Sequence, residues 1–309
     1  MTLLRQQTER LGRLYDDPAS RSHIRPFILE FDLQDTLHEL VKPDPADYQT
    51  FNEFFSREIK PEARPIADPE DVQTVSSVAD CRLVVFQTIS EATRIWIKGF
   101  GFTLYSLLLS PNLAVIMKGG SIAIHRLAPQ DYHRWHSPID GTIETITDIP
   151  GTYHTVNPQA INQASTLDVF CENRRSVMTV RRDPTGEYVV IVAIGAMLVG
   201  SIQYCAGVQP GADIHRGQCL GMFRYGGSTV VVLFPAGEIT FDDDLVKNSR
   251  GEKCETKVNV GWRIGRGGDT WSPAVPRLTS ETTVHDSNVS EAFTPLSAAD
   301  EIYEDAEED

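Results

Sequence analysis

From residue 67 to about residue 266 the chain is written in short β-rich runs broken by Gly, Pro, Asn and Asp. They begin after "KPEARPI" (Lys60–Ile66): "RLVVFQTI", "RIWIKGF", "LAVIMKGGSIAIHRL", "GTIETITDI", "SVMTVRR", "EYVVIVAIGAMLVGSIQ", "STVVVLFPAGEITF" and "TKVNVGWRIG". Runs of this length bounded by turn residues read as strands. Long helices do not alternate with them, which argues against a doubly wound parallel sheet. The first 60 residues differ: Leu4, Leu11, Leu14 and Tyr15 recur at helical spacing, and "DLQDTLHELVK" places Leu33, Leu37, Leu40 and Val41 on one helix face. The pattern predicts an α+β protein, a helical N-terminal region followed by a predominantly antiparallel β-rich domain.

Charge narrows the partners. The formal net charge is -15, but Asp269–Asp309 holds eleven Asp/Glu against Arg277 alone, so ten of those charges sit in a tail rich in Ser, Thr and Pro. Such a segment is expected to be solvated and disordered. The remainder has mixed charge and no basic face, which argues against nucleic acid. Cys81, Cys171, Cys205, Cys219 and Cys254 form no CxxC pair, a pattern of reduced thiols in a cytosol-like compartment. The start of the chain has no secretory signal, and the most apolar run, Tyr188–Gly200, is shorter than the roughly 20 residues a spanning helix needs. The chain is therefore expected to be cytoplasmic or peripherally membrane-associated. Arg5, Arg10 and Arg13 beside the first leucines suit contact with an anionic membrane surface, although such a segment more often packs on its own domain.

Three places can carry chemistry. In "PQDYHRWHSPIDG", His133 and His136 are three residues apart. They read as a polar cluster holding a turn, as a general acid and base near neutral pH, or as metal ligands; no Cys or Glu stands at zincin spacing, so no metal is expected. Ser228 follows Gly226-Gly227, which reads as a turn before a strand or as a site of backbone chemistry, because a glycine carbonyl is open to attack. The GxSxG elbow of hydrolases is absent. Asp80, just before an apolar strand, reads as the end of a turn.

Taken together these segments resemble the pyruvoyl-dependent phosphatidylserine decarboxylases. The resemblance runs from about residue 47 to 266 through "FNEFFSREIKPEARPI", "VADCRLVVF", "WIKGFGFTLYSLL", "RLAPQDYHRWHSPIDGTI", "GTYHTVNPQAI", "AIGAMLVGSI", "GMFRYGGSTVVVLF" and a strand-like "FDDDL". It implies that residues 1–46 are a helical N-terminal region, 47–266 the catalytic domain, and 267–309 the acidic tail. The Gly-Gly-Ser-Thr form resembles the eukaryotic endomembrane branch and its bacterial relatives. Where the family usually has Pro before Ala-Asp, this chain has Val78.

By the resemblance, Asp80, His136 and Ser228 form a self-processing triad: His136 deprotonates Ser228, Asp80 stabilises the imidazolium, and Ser228 attacks the Gly227 carbonyl. The ester undergoes β-elimination to dehydroalanine, which hydrolyses to a pyruvoyl group. A large chain ending at Gly227 and a small one beginning at residue 228 remain associated. The covalent pyruvoyl group from Ser228 is the cofactor; it forms a Schiff base with the substrate amine, and His133 returns the proton after CO2 leaves. The expected reaction converts phosphatidylserine to phosphatidylethanolamine. Decarboxylation of free, including aromatic, amino acids is the alternative, and a non-catalytic binding relative a further one. Lys98 is a candidate anion partner, and His154 is a residue near the substrate or a loop edge.

Overall fold

The computed structural model describes residues 10–95, 97, 102–154, 168–183, 185–196, 202–224, 228–251 and 255–268. In chain order the helices are α1 (residues 10–16), α2 (Ile24–Glu30), α3 (Phe51–Phe55), α4 (Ile89–Ile95), α5 (Leu104–Leu108), α6 (Pro111–Ile116), α7 (Val169–Glu172) and α8 (Asp243–Arg250). The strands are β1 (Thr74–Ser76), β2 (Cys81–Phe86), β3 (Ser121–Leu127), β4 (Arg134–His136), β5 (Gly141–Ile149), β6 (Arg175–Arg182) and β7 (Tyr188–Gly195). They continue with β8 (Ile202–Tyr204), β9 (Asp213–Ile214), β10 (Cys219–Phe223), β11 (Ser228–Phe234), β12 (Ile239–Phe241), β13 (Thr256–Val258) and β14 (Arg263–Gly267).

Eight strands form one sheet in the order β13-β2-β3-β11-β7-β6-β5-β9, and each pairing is antiparallel. Two three-stranded sheets, β1-β14-β12 and β4-β10-β8, complete an α+β fold. The central strands β7 and β11 are buried at every residue, which is why their sequences are continuously apolar and do not alternate. On one face Leu83, Val85, Ala123, Val189, Ile191, Val230, Val232 and Phe234 form the main core with Trp135, Leu220 and Phe223 from the β4-β10-β8 sheet. The remaining central-strand residues, among them Val190, Val192, Val231 and Leu233, are buried on the other face.

A second core lies toward the N-terminus. Ile24, Phe27, Ile28, Leu33 and Leu40 pack with Tyr48, Phe51, Phe54 and Phe55, across the 46/47 boundary expected from the sequence. Helix α3 begins where the Thr50 hydroxyl accepts the Glu53 N–H at 3.1 Å, and three of its five residues are phenylalanines in this core.

Four local expectations are corrected. Arg94 and Ile95, which open "RIWIKGF", are not strand but the end of helix Ile89–Ile95, started by the Thr88 hydroxyl accepting the Glu91 N–H; 96 and 98–101 lie outside the described residues. "LAVIM" is helix α6, because Ser110 caps the Leu113 N–H and Pro111 occupies the first turn, outweighing the β-branched residues that suggested a strand. In "FDDDL", Asp242 precedes a helix, with Asp243 and Asp244 in its first turn and Lys247 and Arg250 in its last, the charge order a helix dipole favours. "DLQDTLHELVK" holds only a 3-10 segment, Gln34–Glu39, because Leu40 is drawn into an extended bridge with Ile59. Leu33 and Leu40 are buried there, whereas Val41 is exposed.

One buried ion pair joins two sheets. Arg182 at the end of β6 donates at 2.6 Å to Glu238, just before β12, and Thr185 donates to the same carboxylate oxygen at 2.8 Å. Both charged side chains are almost fully buried. Removing one partner strands the other's charge. Glu238→Ala is expected to lower unfolding stability by about 3–5 kcal/mol, measured by urea denaturation; a loss below about 1 kcal/mol, the level of an exposed pair, would show that the tie is not needed.

Candidate active site

Ser228 is the first residue of β11 and is fully buried. Its strand neighbours are Leu127, the last residue of β3, and Gly195, the last residue of β7. The Ser228 hydroxyl lies 3.1 Å from Nδ1 of His133. The other ring nitrogen, Nε2, lies 2.9 Å from the Ala128 carbonyl oxygen. A carbonyl can only accept, so in the neutral ring Nε2 carries the proton and Nδ1 offers its lone pair to the serine hydroxyl. Ser228 therefore donates to His133, the arrangement a base needs.

Several elements hold that imidazole. The Phe223 N–H donates to the His133 carbonyl at 2.9 Å, which extends the β4–β10 ladder. Helix α3 brings Phe55 into a stacked contact, with ring centroids 3.9 Å apart. Two residues further on, buried Arg57 donates to the Gln130 carbonyl at 2.9 Å, fixing the loop that leads into His133. Burial, reinforced by the Arg57 charge, lowers the His133 pKa to about 3. The ring is neutral throughout the physiological range.

His136 is placed differently. Its Nδ1 is 2.8 Å from the Gly217 carbonyl and its Nε2 is 3.2 Å from the Tyr132 hydroxyl. Nδ1 thus donates to Gly217, and Nε2 accepts from Tyr132. The expected contact of His136 with Ser228 is not formed: among the described residues the imidazole on the serine is His133. Residues three apart in an extended chain point to opposite sides, and only one of the two histidines can face β11. Burial over His133–His136 follows that alternation, with His133 and Trp135 buried and Arg134 and His136 partly so. The His136 pKa is lowered by desolvation, against which the Gly217 carbonyl and the Asp80 charge act.

Asp80 precedes β2 and binds elsewhere. It accepts two-pronged hydrogen bonds from Arg64 at 2.7–3.0 Å and the Val260 N–H at 2.8 Å. It reaches His136 only through its field. The loop before it is nevertheless tied to β4, since the His136 N–H donates to the carbonyl of Val78, the residue at the family's usual proline position. Asp80, Arg64, Arg57, Asp131 and Tyr132 line a cleft of about 290 Å³.

Two glycines make the close packing feasible. Gly217, whose carbonyl holds His136, has φ +82°, and a Cβ there would come within 2.3 Å of Ile66. Gly221 on β10 faces the Trp135 indole, which a Cβ would meet at 2.7 Å. Gly227 and Lys98 lie outside the described residues. His154 is in a loop, where its N–H donates to Asn173 at 2.7 Å.

Phe55, Arg57, Arg64, Tyr132 and Gly217 contribute to this region without having been singled out from the sequence. Phe55, Arg57 and Arg64 stand in "FNEFFSREIKPEARPI" and Tyr132 in "PQDYHRWHSPIDG". Arginines beside buried aromatics were the available signal, since a buried guanidinium needs several fixed acceptors. Nothing local marked Gly217.

Comparison with known proteins agrees with this architecture. The family model described as phosphatidylserine decarboxylase matches residues 51–266, and the chain belongs to that family. A Schizosaccharomyces pombe protein named phosphatidylserine decarboxylase proenzyme 3 is 47% identical over 264 residues, covering 85% of this chain and 26% of its own length. Phosphatidylserine decarboxylase proenzyme 2 of Oryza sativa subsp. japonica is 43% identical over 263 residues, 85% of this chain and 41% of its own. A Fusobacterium nucleatum phosphatidylserine decarboxylase proenzyme is 34% identical over 254 residues, 82% of this chain and 81% of its own. The chain thus spans less than half of these two eukaryotic relatives and about four fifths of the bacterial one.

The buried histidines set a pH dependence. His133 and His125 are lowered to about 3 and about 4 by burial, whereas in the unfolded chain each titrates near its ordinary value of about 6.5. Below that value the unfolded state binds more protons, so stability falls as pH falls, toward the folded values. Partly buried Asp131 and buried Asp168, whose carboxyls are raised by desolvation, act in the opposite sense at lower pH. In an uncleaved Ser228→Ala background, stability at pH 5.5 is expected to be lower than at pH 7.5 by about 1 kcal/mol per buried histidine. His125→Gln in that background should remove about 1 kcal/mol of the difference by urea denaturation; an unchanged difference would mean that His125 protonates in the folded protein.

Proposed function

We propose that this chain cuts its own backbone between Gly227 and Ser228 and, with the pyruvoyl group so formed, converts phosphatidylserine to phosphatidylethanolamine and CO2. The observation that carries the proposal is a buried serine hydroxyl donating to the free nitrogen of a neutral imidazole at the head of the central strand. Membership of the family and the relatives' names, each a phosphatidylserine decarboxylase proenzyme, support the substrate and the processing.

Loss of the hydroxyl proton to a base turns Ser228 into a nucleophile for the preceding carbonyl carbon, whose bond to the Ser228 nitrogen then breaks. The site fits the resulting group. Residue 228 is held between β3 and β7 by its own strand, so it need not move when its N-terminal bond is cut. It is buried, which keeps water from an electrophilic carbonyl. Once present, a pyruvoyl group supplies a ketone for the substrate amine and an amide carbonyl that draws electrons as CO2 departs.

The histidines then divide the work. His133, against residue 228, can hold the proton that returns to the substrate carbon, while Phe55 and the Ala128 carbonyl fix the ring. The resemblance assigns the processing base to His136 with Asp80. The 3.1 Å contact favours a second reading, in which His133 also serves the uncleaved serine.

Purified protein should resolve into two chains on a denaturing gel, with the small chain beginning at residue 228 by mass. Ser228→Ala should remain a single 34.4 kDa chain. Cleavage elsewhere, or none, would refute the proposal. His133→Ala separates the histidine roles: two chains with CO2 release down at least about a hundredfold confine His133 to turnover, and one uncleaved chain makes it the processing base. With His136→Ala, the first assignment expects no cleavage. Phosphatidylserine vesicles should yield CO2, and Trp, Tyr and Phe should not; the reverse would replace the substrate.

A further inference from the structure

The end of the sheet that holds Ser228 also carries an unusual surface. Ser228 is level with Leu127 and Gly195, and the adjacent register joins Thr229, Ile194, Arg175 and Ile149. Arg175 begins β6, two strands from β11 and so about 10 Å across the sheet. Its buried guanidinium donates to the Leu107 carbonyl at 2.7 Å and the Ser106 carbonyl at 2.6 Å, locking helix α5 to that end.

Helices α5 and α6 lie in a stretch, Phe102–Met117, without one charged residue. Leu107, Leu108, Leu113 and Met117 pack inward. Tyr105, Leu109 and Val115 face outward, 50%, 54% and 73% exposed; they are three of the eight large hydrophobics exposed among the described residues. Leu109 adds a second anomaly. It ends α5 in the left-handed conformation, φ 47°, where glycine or asparagine is usual and a leucine is strained. In water its side chain gains little in return. Tyr105 and Leu109, one turn apart, line a cleft of about 600 Å³ with Ile149, Pro150 and Arg175.

We infer that the α5–α6 hairpin is the surface by which the protein docks on a lipid bilayer, with Leu109 and Val115 entering the acyl boundary and Tyr105 at the headgroup level. This rests on the phosphatidylserine reading above. A substrate embedded in a bilayer must bring its headgroup to residue 228, so the face beside that end of the sheet has to meet the membrane. An uncharged hairpin with protruding apolar side chains suits that contact: inserting a charge would be costly, and burying exposed leucine and valine is favourable. The rigid anchoring by Arg175 keeps this contact at a fixed distance from Ser228.

The test uses the processed protein and a Leu109→Asn/Val115→Asn variant. Asparagine tolerates the left-handed conformation, so Leu109→Asn alone should not lower the thermal midpoint, which separates docking from folding. Co-sedimentation with vesicles of phosphatidylcholine and phosphatidylserine should show binding by the parent and a loss of about tenfold or more in the double variant. Turnover of a short-chain, monomeric phosphatidylserine should be unchanged in the variant, while turnover on vesicles falls. Equal vesicle binding by parent and variant overturns the proposal, as does a parent that binds no vesicles. A parent dimer that becomes monomeric in the variant with vesicle binding intact also overturns it, assigning the face to a second copy. Should the parent decarboxylate neither form of phosphatidylserine and yet lose vesicle binding on substitution, the docking surface stands and the substrate assignment falls.

Discussion

The two-sided hydrogen bonding of β11 is the constraint around which the rest is arranged. From Ser228 to Phe234 the strand pairs with β3, and from Ser228 to Leu233 it pairs with β7. Each residue is buried, so the strand is held by ladder bonds on both edges and by packing on both faces. A residue at its head can change chemically, and lose its covalent link to the preceding residue, without losing its address. The strand after Ser228 thus supplies the immobility that the proposed chemistry at its first residue requires.

Around that fixed point the electrostatics are those of a dry site. His133 is kept neutral by burial and the Arg57 charge, and its one free lone pair is aimed at the Ser228 hydroxyl. His136 is partly exposed, and both of its ring nitrogens are engaged by Gly217 and Tyr132. Asp80 is neutralised by Arg64, which is itself shared with Glu39 at 2.9 Å. Two histidines that look alike in sequence therefore differ in tautomer, partners and proximity to the serine.

Much of the fold was legible because its physical cause is local. β-Rich apolar runs bounded by turn residues marked β2, β5, β6, β7 and β11, whereas "FDDDL" reads as strand-like although its acidic residues stand where a helix dipole favours them. Two of the misplaced elements share one cause. "LAVIM" and the stretch before Trp96 have β-branched composition, but a capping hydroxyl and, for α6, a proline started helices there. The 3-10 segment at Gln34–Glu39 ends early because Ile59, nearly twenty residues away in sequence, pairs with Leu40. The site was legible in its residue types, His, Ser and Asp, but not in its pairings. Which histidine meets the serine depends on a strand alternation and on where Tyr132 and Gly217 fall.

By itself the sequence determined the class of fold and, through its collinear motifs, the family and Ser228, because strand composition and turn chemistry act between near neighbours; Gly-Gly-Ser at the head of a strand recurs at Ser121, so that local pattern alone does not single out Ser228. Only the tertiary structure decided that Phe55, Arg57 and Ala128 converge on His133, that Arg64 claims Asp80, and that an uncharged hairpin lies at the Ser228 end of the sheet. Apart from that of Ala128 with His133, those contacts join residues 16 to 78 positions apart. Their geometry is set by the packing of whole sheets and helices, which no local pattern encodes.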